Sequence, residues 1–345
     1  MAVKNMNGKL KIKRDPFLDY CKKDCYNFLS PYGLGDTLML CGFRKEWEKK
    51  NGGKIHFIIK PSHEIVMKIY GINNYTCVKE IPGGWANPRL CDIAKQQGEP
   101  KIGHLYIAHP HFHKRYIDFL RKNDRVDSLK PFLAFYREFL GLDQEASLEF
   151  PHYEALDGTT ICQKLNAYGK SENIILFLPE ARTLTELPPS FWKNILHTLP
   201  KNAVVVQNTS DLSKSISGIP NIEMTLEELV WLCVHCRAVY ALRSGMCDLI
   251  ANGCKDLTVY YSMHPNLMQR YSLKSIFKKD IREVYIEVSN IKYYLFGFFP
   301  LLEICKSEEM NEIKVFGCLN FCLKKEVDIQ KLYWNRFLIL SYRKK

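Results

Sequence analysis

Between residues 25 and 262 the chain alternates short apolar strands with helix-patterned segments, and it does so twice. Cys25 to Ser30, Lys54 to Ile59, Cys77 to Ile81 and Ile102 to Ala108 read as strands. Helical patterns fall at Thr37 to Lys50, Ser62 to Tyr70 and Pro131 to Leu140. A polar, turn-rich stretch from Gly141 to Gly158 interrupts the pattern, which then restarts. The second series has strands at Asn173 to Leu178, Ala203 to Gln207, Ala238 to Leu242 and Leu257 to Tyr261, with helices at Pro188 to Leu199 and Leu226 to Cys236. Strands that alternate with helices imply parallel βαβ units, so the expected fold is α/β with two Rossmann-like halves. The expected division is 1–150, 151–290 and a tail, 291–345. A length of 345 residues accommodates two domains of ordinary size.

Two turns in this frame carry chemistry. The first strand runs into P-Y-G-L-G-D, a Gly-rich turn holding Gly33, Gly35 and Asp36 at a strand's carboxyl end, where open α/β sheets bind ligands. Asp36, at the start of the helix, is a candidate cap. The second turn follows Ala238 to Leu242, where the apolar run stops at Arg243-Ser244-Gly245 and a short helix begins at Met246. Free backbone N–H groups at such a start, a glycine that permits close approach and a planar cation together suit a phosphate. The alternative is an ordinary strand–turn–helix joint with Arg243 in an ion pair. Asp248 is expected either to accept hydrogen bonds from a bound ligand or to cap its own helix.

Other clusters are weaker. His109, His111 and His113 alternate, but Pro110 interrupts them and no Cys or carboxylate stands close by. They suit a loop lining a cleft better than a metal centre. Cys233-Val-His-Cys236 has knuckle spacing but lies in an apolar helix without a second pair, which suits core. No metal and no cofactor is expected.

The formal net charge of +12 points to an anionic partner: nucleic acid, a lipid surface or a phosphorylated small molecule. No dense Lys/Arg block with interleaved aromatics occurs early in the chain, so no nucleic acid is expected. Thirteen scattered Cys, several within apolar runs, suit reduced thiols in the cytoplasm. The N-terminus lacks a signal-peptide core, and no apolar run is long enough to span a bilayer. The tail contains K-Y-Y-L-F-G-F-F-P-L-L-E-I and K-V-F-G-C-L-N-F-C-L-K-K, a weak repeat of F-G pairs, apolar runs and basic flanks. Such a tail either lies on an anionic membrane surface or packs back as core.

Three motifs in order sharpen the expectation. G-L-G-D-T-L-M-L (Gly33 to Leu40), L-P-E-A-R-T-L-T-E-L-P-P-S-F-W-K-N-I-L (Leu178 to Leu196) and R-S-G-M-C-D-L-I-A (Arg243 to Ala251) resemble segments of heptosyltransferase-like enzymes of the two-domain glycosyltransferase B fold. The resemblance implies inverting, metal-independent transfer of a sugar from a nucleotide-sugar donor to a glycan or lipid-linked acceptor. It implies Asp36 as general base. The candidate donor-binding residues are Arg182, Gln207, Arg243, Ser244, Gly245, Met246 and Asp248, and the candidate acceptor-side residues are Gly33, Gly35, His109 and His111. The chain departs from the family at Arg243, where an acidic residue is usual, at Asp248, where His is usual, and near Thr185, where Lys is usual. Those departures give no support to a heptose donor. A nucleotide-sugar epimerase of the same fold and a non-catalytic membrane- or RNA-binding protein are the alternatives.

Overall fold

The computed structural model describes residues 2–4, 10–12, 18–80, 88–109, 132–181, 184, 186–262, 270–286, 289–295, 299–306, 310–315, 319–326, 329–334 and 337–343. A short antiparallel hairpin, β1 (Ala2–Lys4) with β2 (Leu10–Ile12), precedes the first sheet.

The first half is a parallel sheet of β3 (Tyr26–Leu29), β4 (Ile55–Ile59), β5 (Tyr75–Cys77) and β6 (Leu105–Ile107), in the order β5-β4-β3-β6. Its helices are α1 (Leu34–Gly42), α2 (Arg44–Asn51), α3 (Glu64–Ile69), α4 (Pro88–Gln96) and α5 (Phe132–Leu140). β4, I-H-F-I-I, is buried along its whole length, as a strand covered by helices on both faces must be. The chain steps outward from β3 to β4 to β5 and then returns to the other side of β3. The order therefore reverses between β3 and β6, and side chains beyond Leu29 and Ile107 border the crevice that such a reversal opens.

The second half repeats the plan. α6 (Thr159–Leu165) leads into β7 (Ile174–Leu178), followed by α7 (Pro189–Thr198), β8 (Val204–Gln207), α8 (Leu226–His235), β9 (Ala238–Leu242), α9 (Gly245–Ile250), β10 (Leu257–Tyr261), α10 (Leu273–Phe277) and β11 (Arg282–Tyr285). The strands are parallel in the order β11-β10-β9-β7-β8, with the reversal between β7 and β9. Sequence patterning finds most of these elements; α4, α6, α10 and β11 are additions.

One predicted helix is two. Thr37 to Lys50 divides at Phe43 because the carbonyl of Gly42 accepts from Glu149 N (2.9 Å) in the segment joining the halves. Gly42 has no side chain to spare: a Cβ there would stand 2.5 Å from Leu148 Cδ1. The same joining segment bonds to both halves, through His152 N to Ile69 O (2.7 Å) and Tyr153 Oη to Leu249 O (2.6 Å). One cluster of buried side chains runs from Phe28 through Tyr136 and Leu156 to Val239, so the halves share a core.

The tail forms a six-stranded antiparallel meander: β12 (Ser289–Leu295), β13 (Phe299–Lys306), β14 (Met310–Val315), β15 (Leu319–Glu326), β16 (Ile329–Trp334) and β17 (Phe337–Arg343). Its register aligns Ile291, Ile304, Ile313, Phe321, Trp334 and Phe337 in one cross-strand row. The neighbouring row begins Lys292, Glu303, Lys314, Asn320. The weak repeat of the sequence thus falls on successive strands, while its two F-G pairs lie outside the described residues. Among the described residues no helix is long and apolar enough to cross a membrane.

Candidate functional site

β3 ends at Leu29, and α1 begins five residues later. Gly33 stands just before the helix with extended backbone (φ −86°, ψ 163°), and Asp36 is the third helical residue. Asp36 is therefore not the N-cap itself. It reaches back, and its Oδ2 accepts from Gly33 N at 3.0 Å, which satisfies one of the helix's free donors from inside the first turn. Its Oδ1 accepts from Tyr136 Oη on α5 at 2.6 Å. His109, just past β6, places Nε2 3.8 Å from the same oxygen. The Asp36 side chain remains 21% exposed, while Tyr136 is fully buried. A carboxylate has about four lone-pair sites, so two donors leave capacity for a third partner on the open side.

The turn is anchored from below. Thr37 Oγ1 lies 2.7 Å from Ser30 Oγ and 2.6 Å from His63 Nδ1, and all three side chains are buried. Burial pushes the His63 imidazole down to about 4; the Lys60 charge acts in the same direction, and the nearby Asp36 carboxylate opposes it. Lys60 Nζ donates to Tyr32 O at 2.7 Å, and the Tyr32 ring lies 4.1 Å from that of His109. The loop that presents Asp36 is thus tied on both flanks.

The second turn is organised differently. Arg243 and Asp248, expected as separate contacts to a donor, are paired with each other in the interior. Arg243 Nη1 and Nη2 donate to Asp248 Oδ2 and Oδ1 at 2.9 and 2.7 Å, with the side chains 7% and 5% exposed. Arg243 also donates to Ser244 O (2.5 Å) and Tyr271 O (3.2 Å). Burial raises the Asp248 carboxyl, and the Arg243 guanidinium opposes that rise. Five residues separate the two in sequence, and only a tight turn into α9 brings them face to face.

Gln207 likewise points into its own half. It is buried, its Nε2 donates to Ser215 Oγ, Ile216 O and Ile219 O, and its Oε1 accepts from Ile216 N at 2.8 Å. It braces the loop after β8 rather than facing a ligand. Ser244, Gly245 and Met246 are partly exposed at the start of α9. Cys233 and Cys236 are buried, and the Cys236 thiol donates to Cys233 O and Ala238 O, which fits the core reading. Arg182, Thr185, His111 and His113 lie outside the described residues.

The two turns meet. An added Cβ at Gly35 would stand 2.5 Å from Asp248 Oδ2, and one at Gly245 would stand 3.3 Å from Gly35 N. The first contact leaves no room for a Cβ unless Asp248 shifts, and the second is tight against backbone. The first turns of α1 and α9 therefore abut across the divide, each at the switch point of its own sheet.

Sequence reasoning missed two groups. Tyr136 sits 100 residues from Asp36 in an aromatic-rich helix, and nothing local marks it as a partner. Glu180, just past β7, accepts from Thr209 Oγ1, Ser210 N (3.1 Å), Ser210 Oγ (2.9 Å) and Asp211 N (3.0 Å). Burial alone would raise its carboxyl, but these donors outweigh burial and hold it below the ordinary value. It clasps the loops after β7 and β8 together.

No family model matches the sequence, and no curated protein matches it. Solved structures do. ADP-heptose LPS heptosyltransferase II from E. coli aligns with TM-score 0.51 at 13% identity, over 75% of this chain and 89% of that one. A family 9 glycosyltransferase from Veillonella parvula aligns with TM-score 0.48 at 13% identity, over 77% and 87%. The E. coli heptosyltransferase WaaC with ADP aligns with TM-score 0.44 at 11% identity, over 76% and 93%. The chain has the heptosyltransferase-like glycosyltransferase B fold, with two parallel sheets.

Proposed function

We propose that this protein is a glycosyltransferase that moves a sugar from a nucleotide-sugar donor to an acceptor hydroxyl, with Asp36 as general base. The observation that carries the reading is the position of Asp36. Its carboxylate is partly exposed, tied by two donors, and placed at one sheet's switch point against the first turn of the helix that follows the other's. In an inverting transfer the acceptor oxygen attacks the anomeric carbon as the bond to the diphosphate breaks. Asp36 takes the acceptor's proton, and the nucleoside diphosphate leaves with the electron pair. The donor would lie beyond the carboxyl ends of β7 and β9. There Ser244, Gly245 and Met246 supply backbone; Arg182, outside the described residues, is the proposed source of charge, and no metal is called for. Arg243 and Asp248 enter this reading as the support of that turn.

The experiment is nucleotide-sugar turnover by wild type and Asp36→Asn. The Asn variant keeps the shape and loses the basicity, so turnover should fall by roughly 10²-fold or more while donor binding holds. Wild-type turnover in that variant would end the reading.

The proposal extends to a lipid-linked or surface-polysaccharide acceptor at the cytoplasmic face of a membrane, on the strength of the tail's basic charge and its all-apolar cross-strand row. Full-length protein should bind anionic vesicles at low salt and lose them at high salt, and a chain ending near Ser289 should not bind. Full-length protein that ignores such vesicles would remove the membrane from the reading and leave the transfer chemistry untouched.

A further inference from the structure

The proposed reaction leaves one buried polar group at the junction without a role, the phenol of Tyr136. Its oxygen donates to Asp36 Oδ1 at 2.6 Å from a fully buried position. The other oxygen of Asp36 is held by Gly33 N, within the same turn of chain. One local donor lets a carboxylate swing about its last bond. A second donor, on the other oxygen and from another helix, fixes its plane.

The helix that supplies this second donor is registered on the opposite half. Phe132, one turn before Tyr136 on α5, packs against the Tyr271 ring at 5.2 Å, and the Arg270 guanidinium lies 4.6 Å from the Phe135 ring centre. Tyr271 O in turn accepts from Arg243 Nε, at the base of the second turn. Phe132 also meets the Tyr136 ring edge-on at 5.1 Å. The orientation of Asp36 is thereby referenced to the half expected to hold the donor.

We propose that Tyr136 is a positioning residue for Asp36: its hydroxyl fixes the carboxylate plane, with the free lone pairs on the open side. The proposal rests on the reading of Asp36 as general base. Burial, with Asp36 adding to it, raises the phenol well above its ordinary value, so it stays a donor through the neutral range. The other titratable groups near Asp36 are His109 beyond β6, His63 beneath Thr37, and Asp248 on α9. All three remain when Tyr136 is changed.

The test is the pH profile of kcat/KM for transfer in two variants. Tyr136→Phe keeps the ring and removes the donor. A carboxylate that loses a donor binds its proton more tightly, so the acid limb should move to higher pH by about one unit. kcat should fall about tenfold with donor KM unchanged. A single 3-fluorotyrosine at position 136 keeps the shape and donates more strongly, so its acid limb should move the opposite way; it also serves if the Phe variant fails to fold. In an Asp36→Asn background, Tyr136→Phe should cost no further turnover. Acid limbs that coincide with wild type in both variants would overturn the proposal while leaving Asp36 in place. Full turnover in Asp36→Asn alone would instead remove the general base, and the role of Tyr136 with it.

Discussion

After β3 the chain runs Gly33-Leu34-Gly35-Asp36 into α1; after β9 it runs Arg243-Ser244-Gly245 into α9 and reaches Asp248. Each is a strand, a turn with glycine, and a helix whose first turns carry a carboxylate. The two carboxylates meet different fates. Asp36 keeps a fifth of its side-chain surface and is held by neutral donors, a backbone N–H and a phenol. Asp248 is buried against a guanidinium that takes both its oxygens. A carboxylate held by neutral donors on one side keeps lone pairs free on the other. One whose two oxygens are both taken by a buried guanidinium has none to offer and becomes part of the frame. The comparison teaches that a strand–turn–helix joint with an acidic residue marks a place for chemistry, while its neighbours decide whether chemistry or support is done there.

The comparison can be broken first at Arg243. Arg243→Ala leaves Asp248 charged and unpaired in the interior, and should cost about 3–5 kcal/mol of stability. A thermal or urea melt reads the loss. A variant that melts as wild type but binds nucleoside diphosphate weakly would make Arg243 a ligand contact after all. Asp36→Asn is the counterpart, with the opposite signature: roughly 10²-fold in turnover, about 2.7 kcal/mol of barrier, with little change in melting. If the two variants lost stability alike, the contrast between the turns would fail. The smallest effect tests the seam. Gly35→Ala puts a Cβ against Asp248 Oδ2, which Arg243 prevents from moving aside, so a cost of about 1–3 kcal/mol is expected. The same change made with Asp248→Ala should cost less, because the obstructing atom is gone. Equal costs in both backgrounds would mean the turns do not bear on each other.

Much of this was legible in the chain. β9 and β10 lie at the predicted residues and β3, β4, β6, β7 and β8 within a few, because a buried parallel strand is a continuous apolar run bounded by turn residues. β5 is displaced: it is half-buried and shares only Cys77 with the predicted Cys77 to Ile81. Helix ends were less legible. α1 starts at Leu34 rather than Thr37, since Gly33 supplies the break and Asp36 the cap from within. The tail's sequence shows apolar runs with basic flanks, whereas its strands pair so that Ile304, Ile313, Phe321 and Trp334 fall in one row. That pairing depends on where each strand turns, which a single run does not reveal.

By itself the sequence determined the two α/β halves, the Gly-rich turn that carries Asp36 and the short turn that carries Arg243, because hydrophobic period and glycine placement act over a few residues. Only the tertiary structure decided that Arg243 and Asp248 neutralise each other, that Gln207 braces a loop, and that Tyr136 serves Asp36 from 100 residues away. Such pairings depend on which surfaces two helices bring together when the halves close on one core. That outcome is set by packing summed over many distant side chains, and no local stretch of the chain records it.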